Sequence, residues 1–209
     1  MDKIIRPFIQ NVSSLASHID EMNSLNAKCA EGTCQWRSSG NLYTAIKKAC
    51  SELTFDHCSF CDGYPLDVTS KKTIEHYFPK NEFRVKTYEW TNLFLCCDKC
   101  QSNANRHSPF RYTLKPDDED YSFEKYFWFN PADGDICVNE FLEEDDRAKA
   151  TAFLIRYGIN DDGVRKSARK KRYSELLSIV ANTDQLLERN LEQYRFIVDL
   201  VQQLRYHIK

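Results

Sequence analysis

Two Cys-x-x-Cys pairs, Cys58/Cys61 and Cys97/Cys100, bracket the stretch Thr73-Ile74-Glu75-His76-Tyr77-Phe78-Pro79-Lys80. Within each pair two thiolates can face one metal ion, and four thiolates complete a closed tetrahedral site of the structural zinc type. The second pair is counted from Cys97 and not from its neighbour Cys96, because only Cys97 has the Cys-x-x-Cys spacing with Cys100. Acid–base chemistry falls to the Glu75-His76 unit. Histidine is suited to take a proton near neutral pH. Glutamate is a hard oxygen donor that suits Mg²⁺ or Mn²⁺. Gln101 and Asn105, four residues apart on one helical face, are candidates for further oxygen ligands. Successive side chains on a strand point to opposite sides, so Glu75 and His76 can serve one site only at a strand end.

The elements around these residues are legible from their patterns. Thr73 and Ile74 are β-formers that run into Glu75-His76, and Leu93 to Cys96 makes a second short strand. Asn81 to Trp90 reads as the loop between them, and a helix starts after Cys97 and ends by Pro109. Two strands and a helix around one site form a compact ββα unit. Upstream, Leu42, Ile46, Ala49, Cys50 and Leu53 recur at helical spacing and predict a helix over 41–53. Residues 1 to about 38 hold helical turns with a loop near Gly32; Cys29 and Cys34 there are expected to be bystanders, small buried apolar residues. Downstream, Tyr126 to Pro131 and Ile136 to Phe141 read as strands, and 147–157 as a helix ending near Gly158. From Gly163 the pattern is helical, with a break at Asn182-Thr183-Asp184. Leu187, Leu191, Tyr194, Val198 and Val201 make a short heptad-like seam, expected to pack on the protein's own core. The chain divides into a helical segment 1–54, a cysteine-stapled centre 55–112, and a segment 113–209 of short strands followed by helices.

Bulk properties limit what this site can be part of. An apolar content of 42% and an aromatic content of 13% fit a folded globular protein. A net charge of −2 gives no global pull toward nucleic acid or anionic lipid, so any such affinity must come from local patches. Arg165 to Arg172 is a basic run with three readings: nucleic-acid contact, solvated surface, or contact with an acidic partner. Lys80, Arg84, Lys86 and Arg106 surround the Glu-His unit and are candidates for phosphate contacts. No leader-like segment and no apolar run of spanning length is seen, and the expectation is a cytoplasmic protein without a membrane partner. In that compartment thiols stay reduced, so nine cysteines argue for metal binding over a disulfide framework.

The strings Cys-Ser-Phe-Cys, Ile-Glu-His-Tyr-Phe-Pro-Lys and Trp-Thr-Asn-Leu-Phe-Leu-Cys-Cys-Asp-Lys-Cys-Gln resemble the HNH (ββα-metal) endonucleases. More closely they resemble the HNH subunits (PtuB) of Septu and retron-associated anti-phage systems, which work beside an ATPase (PtuA). The Phe-Asn-Pro segment and Thr151 to Asn160, ending Tyr-Gly-Ile-Asn, share the likeness; the N-terminal forty residues share it least. The resemblance implies that His76 is the general base, Glu75 the acidic ligand of a catalytic Mg²⁺ or Mn²⁺, and Asn92 the residue that braces the loop and orients His76. It places Gln101 where the family usually has Asn or His as a further metal ligand. The lysine that the family carries near Ala104 is missing, with Asn105 and Arg106 beside the gap. The second protein ligand of the catalytic ion is left open by these departures.

The expectation is an α+β protein with a zinc-stapled ββα-metal (HNH) core and mostly helical flanks. Its function would be hydrolysis of nucleic-acid phosphodiester bonds, in DNA or RNA, beside a PtuA-like ATPase, with a retron component as a further candidate partner. The rival is a catalytically silent zinc module that binds nucleic acid or scaffolds a complex; Gln101 and Ala104 favour it.

Overall fold

Among the described residues the chain opens with 3-10 turns at Ile9–Asn11 and Ala16–His18, followed by helix α1 (Ile19–Ala30). The structure is a computed structural model that describes residues 1–106, 113–183 and 187–208, without the side chains of 105–106 and 206–208. Helix α1 buries Met22, Leu25 and Cys29 on its inner face. Past its end Gly32 adopts φ +77°, a left-handed turn open to glycine, and the chain doubles back. That turn brings Cys34 to a Cα–Cα distance of 4.5 Å from Cys29, and the two form a disulfide. They are therefore not bystanders. The reversal that pairs them depends on a backbone turn that their spacing does not encode.

Helix α2 (Asn41–Thr54) follows the helical apolar spacing closely, and Leu42, Ile46, Ala49 and Cys50 are all buried. Strand β1 (Lys72–His76) pairs antiparallel with β2 (Leu93–Cys97), so that Glu75 lies opposite Phe94 and His76 opposite Leu93. Every residue of β2 is buried, and α2 lies against it. Leu93, Phe94 and Leu95 each contribute about 1.5–3 kcal/mol by leaving water, which anchors the hairpin. The expected loop between the strands carries 3-10 turns at Arg84–Lys86 and Trp90–Asn92, and Thr87, Tyr88 and Trp90 in it are buried. Helix α3 (Asp98–Arg106) starts directly after β2 and rests on both strands. Pro109, the expected helix stop, lies outside the described residues.

Helix α4 (Phe123–Tyr126) is a single turn capped by Ser122, whose Oγ accepts from the Lys125 N–H at 3.1 Å. The strands β3 (Phe127–Phe129) and β4 (Ile136–Val138) form a second antiparallel pair; β3 is shorter at both ends than the expected 126–131, while β4 starts at Ile136 as expected and stops short of Phe141. Tyr126 is withdrawn into α4, and Asn139 Oδ1 accepts from Phe141 N–H in a turn, which ends β4. Helix α5 (Glu144–Arg156) begins earlier than the predicted 147, because the acidic run Glu144-Asp145-Asp146 forms its first turn. Carboxylates there complement the positive end of the helix dipole. Helix α6 (Gly163–Asn182) is capped by Asp162, and α7 (Arg195–Ile208) lies against it.

The heptad-like seam is not one helix. Leu187, Leu191 and Tyr194 precede α7, Tyr194 has φ +62°, and Leu191 is exposed. Only Val198 and Val201 act as a helical face, and with Phe196 and Ile197 they are buried in the protein's own core, as expected. Buried residues from Leu15 to Val201 join one hydrophobic cluster that crosses all three expected segments. No described helix is long and apolar enough to cross a membrane.

Candidate metal centre and active site

The hairpin and the start of α3 bring Cys58, Cys61, Cys97 and Cys100 together, all buried, with their sulfurs within 4.8 Å of one another. Four sulfurs about 2.3 Å from a tetrahedral Zn²⁺ stand about 3.8 Å apart. The Cys61 and Cys97 sulfurs are separated by 3.8 Å. The donor set and its size thus fit a metal ion of the structural zinc type. Backbone N–H groups support the sulfurs: Cys97 N–H donates to Cys58 Sγ and Cys100 N–H to Cys97 Sγ, each at 3.4 Å. Cys96 is not one of these four; its thiol borders them and donates to the Cys97 carbonyl at 3.2 Å. Four thiols this close cannot all ionise unaided. Burial would raise the Cys58 thiol, but hydrogen bonds from Cys100 and Cys61 hold it well below its ordinary range, while hydrogen bonding within the cluster pushes Cys100 well up. Cys58, Cys61, Cys97 and Cys100 would hold a divalent cation as thiolates, which would remove that conflict.

A buried cation from outside the hairpin completes this centre. Arg165 Nη1 donates to Cys100 Sγ at 3.4 Å, and its Nη2 donates to the Gly158 carbonyl. The basic run containing it is mostly spent inside the protein. Arg169 is buried and donates to the Gly134 and Ile159 carbonyls at 2.6 and 3.1 Å. Arg172 bonds Glu175 and Glu192, and Lys166 meets Asp135 at 2.8 Å. Only Lys170 and Lys171 of the run's cations are exposed, and Lys171 lies 3.8 Å from Glu175. The run therefore works chiefly as an internal clamp, because positions 165 and 169 fall on the inward stripe of α6.

Glu75 and His76 end β1, and both line a cleft of about 250 Å³ together with Lys80, Gln101, Ala104 and Arg156. His76 is buried, and its Nε2 lies 3.0 Å from the Thr87 carbonyl oxygen. A carbonyl only accepts, so Nε2 carries the proton and Nδ1 keeps its lone pair. The Trp36 ring meets the imidazole edge-on at 4.5 Å and fixes its plane. Burial, with the charge of Lys80 adding to it, pulls the His76 pKa down to about 4. The imidazole is therefore neutral at pH 7 and able to accept a proton.

Asn92 is fully buried and ties the loop to the strand end. Its Oδ1 accepts from Phe78 N–H at 2.6 Å, and its Nδ2 donates to the Phe78 and Lys86 carbonyls at 3.1 and 2.8 Å. The Lys86 peptide leads directly into Thr87, whose carbonyl holds His76. Glu75 faces the other way around the strand end, toward Arg156 Nη2 at 3.9 Å. Burial outweighs the nearby Arg156 and Lys80 charges and raises the Glu75 carboxyl to about 7. Gln101 Nε2 donates to the Ile74 carbonyl at 2.7 Å, and a hydrogen bond from the Gln101 side chain also favours the charged form of Glu75. The side chains of Asn105 and Arg106 lie outside the described residues.

Of the surface cations predicted for phosphate contact, Lys80 and Arg84 are exposed. Both also line a neighbouring cleft of about 390 Å³, walled by Trp36 and the Cys29–Cys34 turn, which meets the first at Lys80 and Asn81. Lys86 instead lies over the Phe78 ring at 4.3 Å and 3.7 Å from Glu89. Arg156, Trp36 and Thr87 were missed at the level of sequence, and Arg165 was seen only as part of a basic run. The four-residue spacing of Arg165 and Arg169 was a usable signal for one buried face; a single arginine ending α5 offered none. Compared with models of known protein families, the chain matches none, and no curated protein sequence matches it either.

Proposed function

We propose that the chain is an HNH-type endonuclease, a metal-dependent hydrolase of nucleic-acid phosphodiester bonds whose cysteine cluster is a structural zinc site. The observation that carries this reading is His76, its Nε2 tied to the Thr87 carbonyl and its ring edge-on to Trp36, lining the same cleft as the Glu75 carboxyl. His76 Nδ1 takes a proton from a water molecule, whose oxygen bonds to phosphorus as the phosphorus–oxygen bond to the leaving strand breaks. Asn92 and Thr87 hold the imidazole through that step, and Lys80 and Arg84 grip flanking phosphates. Mg²⁺ or Mn²⁺, for which Glu75 and Gln101 Oε1 offer oxygen donors, would stabilise charge on the phosphate and the leaving oxygen. The ββα arrangement of β1, β2 and α3 suits this chemistry, since it places His76 and Gln101 from different elements at one cleft. A role as the nuclease effector of an anti-phage complex with a PtuA-like ATPase, and a retron component, rests on the sequence resemblance.

A second reading has its own support. The Glu75 charge is already faced by Arg156, and Gln101 is engaged with Ile74, as would suit a silent zinc module that binds nucleic acid. The two part on plasmid DNA and total tRNA incubated with Mg²⁺ or Mn²⁺, with and without a co-expressed ATPase, comparing wild type with His76→Ala. Loss of a general base is expected to slow cleavage by about 10²–10⁴ with zinc content unchanged. Equal cleavage by the variant would remove His76 from the mechanism. No cleavage by wild type on either substrate would favour the silent module.

A further inference from the structure

Helix α5, which packs beside α3, contributes its last side chain to the cleft. Arg156 is only 3% exposed, yet it lines the same cavity as Glu75, His76 and Lys80. Its Nη2 donates to the Tyr77 carbonyl at 3.3 Å, directly after the strand end, and lies 3.9 Å from Glu75 Oε1. The end of α5 is held there by α3, since Asn103 Nδ2 donates to the Tyr157 carbonyl at 3.3 Å. On the facing turn of α3 the cleft is lined by Gln101 and Ala104, neither of which carries charge.

We infer that Arg156 is a phosphate-binding residue of the cleft, gripping the non-bridging oxygens of the phosphodiester attacked beside His76. This deepens the nuclease reading and rests on it. A guanidinium presents a planar fork matched to two phosphate oxygens, and a low-dielectric site strengthens the contact. A phosphodiester with a divalent ion is a negative group beside a positive one. Glu75 and Arg156, face to face across 3.9 Å, present the complementary pair, carboxylate to the cation and guanidinium to the phosphate. Two buried opposite charges are a poor source of stability in themselves. Their placement on the cavity wall gives them a ligand to meet. Negative charge that builds on the phosphorus oxygens as water attacks is then stabilised by a group already in position. Lys80, on the exposed rim, cannot do this with the same geometry, because an ammonium is a mobile point charge.

The test uses the zinc-loaded full chain in a His76→Ala background, so that binding is read without cleavage. Anisotropy of a fluorescein-labelled DNA duplex and of a labelled RNA hairpin is followed against salt, with Ca²⁺ present. Arg156→Gln is expected to weaken binding about tenfold and to lower the slope of log affinity against log salt by about one. A structural role alone would not move that slope. Thermal stabilisation by sodium tungstate, a phosphate mimic, is expected in the parent and absent in Arg156→Gln. With His76 restored, Arg156→Lys is expected to keep zinc and to cut at least tenfold more slowly. An unchanged slope together with unchanged tungstate stabilisation overturns the inference. Should Arg156→Gln lose zinc, wild-type cleavage by Arg156→Lys overturns it instead. Tungstate stabilisation that depends on Arg156 in a chain that cuts nothing would uphold the anion site and refute the nuclease reading.

Discussion

Arg165 offers the sharpest quantitative test of the cysteine cluster. Its Nη1 donates to Cys100 Sγ at 3.4 Å in a buried setting, so it is a partial counter-charge for a tetrathiolate site. Replacing it with Met keeps much of its apolar stem and removes the donor. A hydrogen bond to a charged group contributes about 1.5–3 kcal/mol. Removing such a partner from a metal ligand costs about 10–100-fold in metal affinity, which converts to about 1.4–2.8 kcal/mol. The two routes agree, so Arg165→Met is expected to weaken zinc binding 10–100-fold, read by competition against a chelator of known affinity. Arg165→Lys should recover part of the loss. The control is Arg169→Met, one turn along the same buried stripe, which donates to the carbonyls of Gly134 and Ile159 and not to sulfur. It should lower the melting temperature while leaving zinc affinity within about twofold. Equal zinc affinity in wild type and Arg165→Met would refute the role assigned to Arg165. An equal loss in both variants would mean that the effect is general destabilisation.

The Glu75 carboxyl, raised to about 7, holds its proton below that pH in the folded protein, and a metal ion must displace that proton. The Mn²⁺ concentration needed for half-maximal cleavage should therefore be flat from pH 8 to about 7 and rise up to about tenfold per unit below it; a requirement unchanged at pH 6 would remove Glu75 as a ligand. Gly158 sits at φ +55° with no room for a Cβ against Asn103 Nδ2, between the residue that ends α5 and the cysteine centre. Gly158→Ala should cost about 2 kcal/mol or more in backbone strain and displacement, lowering the melting temperature by about 4–8 °C. A change below 2 °C in differential scanning calorimetry would show that the approach relaxes freely.

Much of the site was legible because it is local in the chain. Cys-x-x-Cys spacing says that two sulfurs can meet one ion, whatever lies elsewhere, and it separated Cys97 from Cys96 correctly. Apolar recurrence over 41–53 is likewise a property of one helix, and α2 follows it. The pairing of β1 with β2 was implied by two cysteine pairs that must converge. Boundaries failed where a neighbouring element or a charge effect intervened. The acidic turn that starts α5 and the short helix α4 that shortens the β3 strand are examples.

The sequence by itself determined the metal-type cysteine quartet, the adjacent Glu75-His76 pair and the apolar stripes that build the core. Each pair or stripe depends on residues within a few positions of one another, whose relative placement is set by the period of a helix, strand or knuckle; the two cysteine pairs themselves meet across 36 positions. Only the tertiary structure decided what surrounds them. Arg156 reaches the Tyr77 carbonyl across 79 positions, and Arg165 reaches Cys100 across 65. Whether an arginine is solvated or buried against a carboxylate or a thiolate is a matter of what folds over it. A basic run on paper thus became an internal clamp, and a single arginine at a helix end became part of the cleft. Proximity across such separations comes from the shared hydrophobic core, which fixes where α5 and α6 sit relative to the cleft and the cysteines and is not written in any one segment.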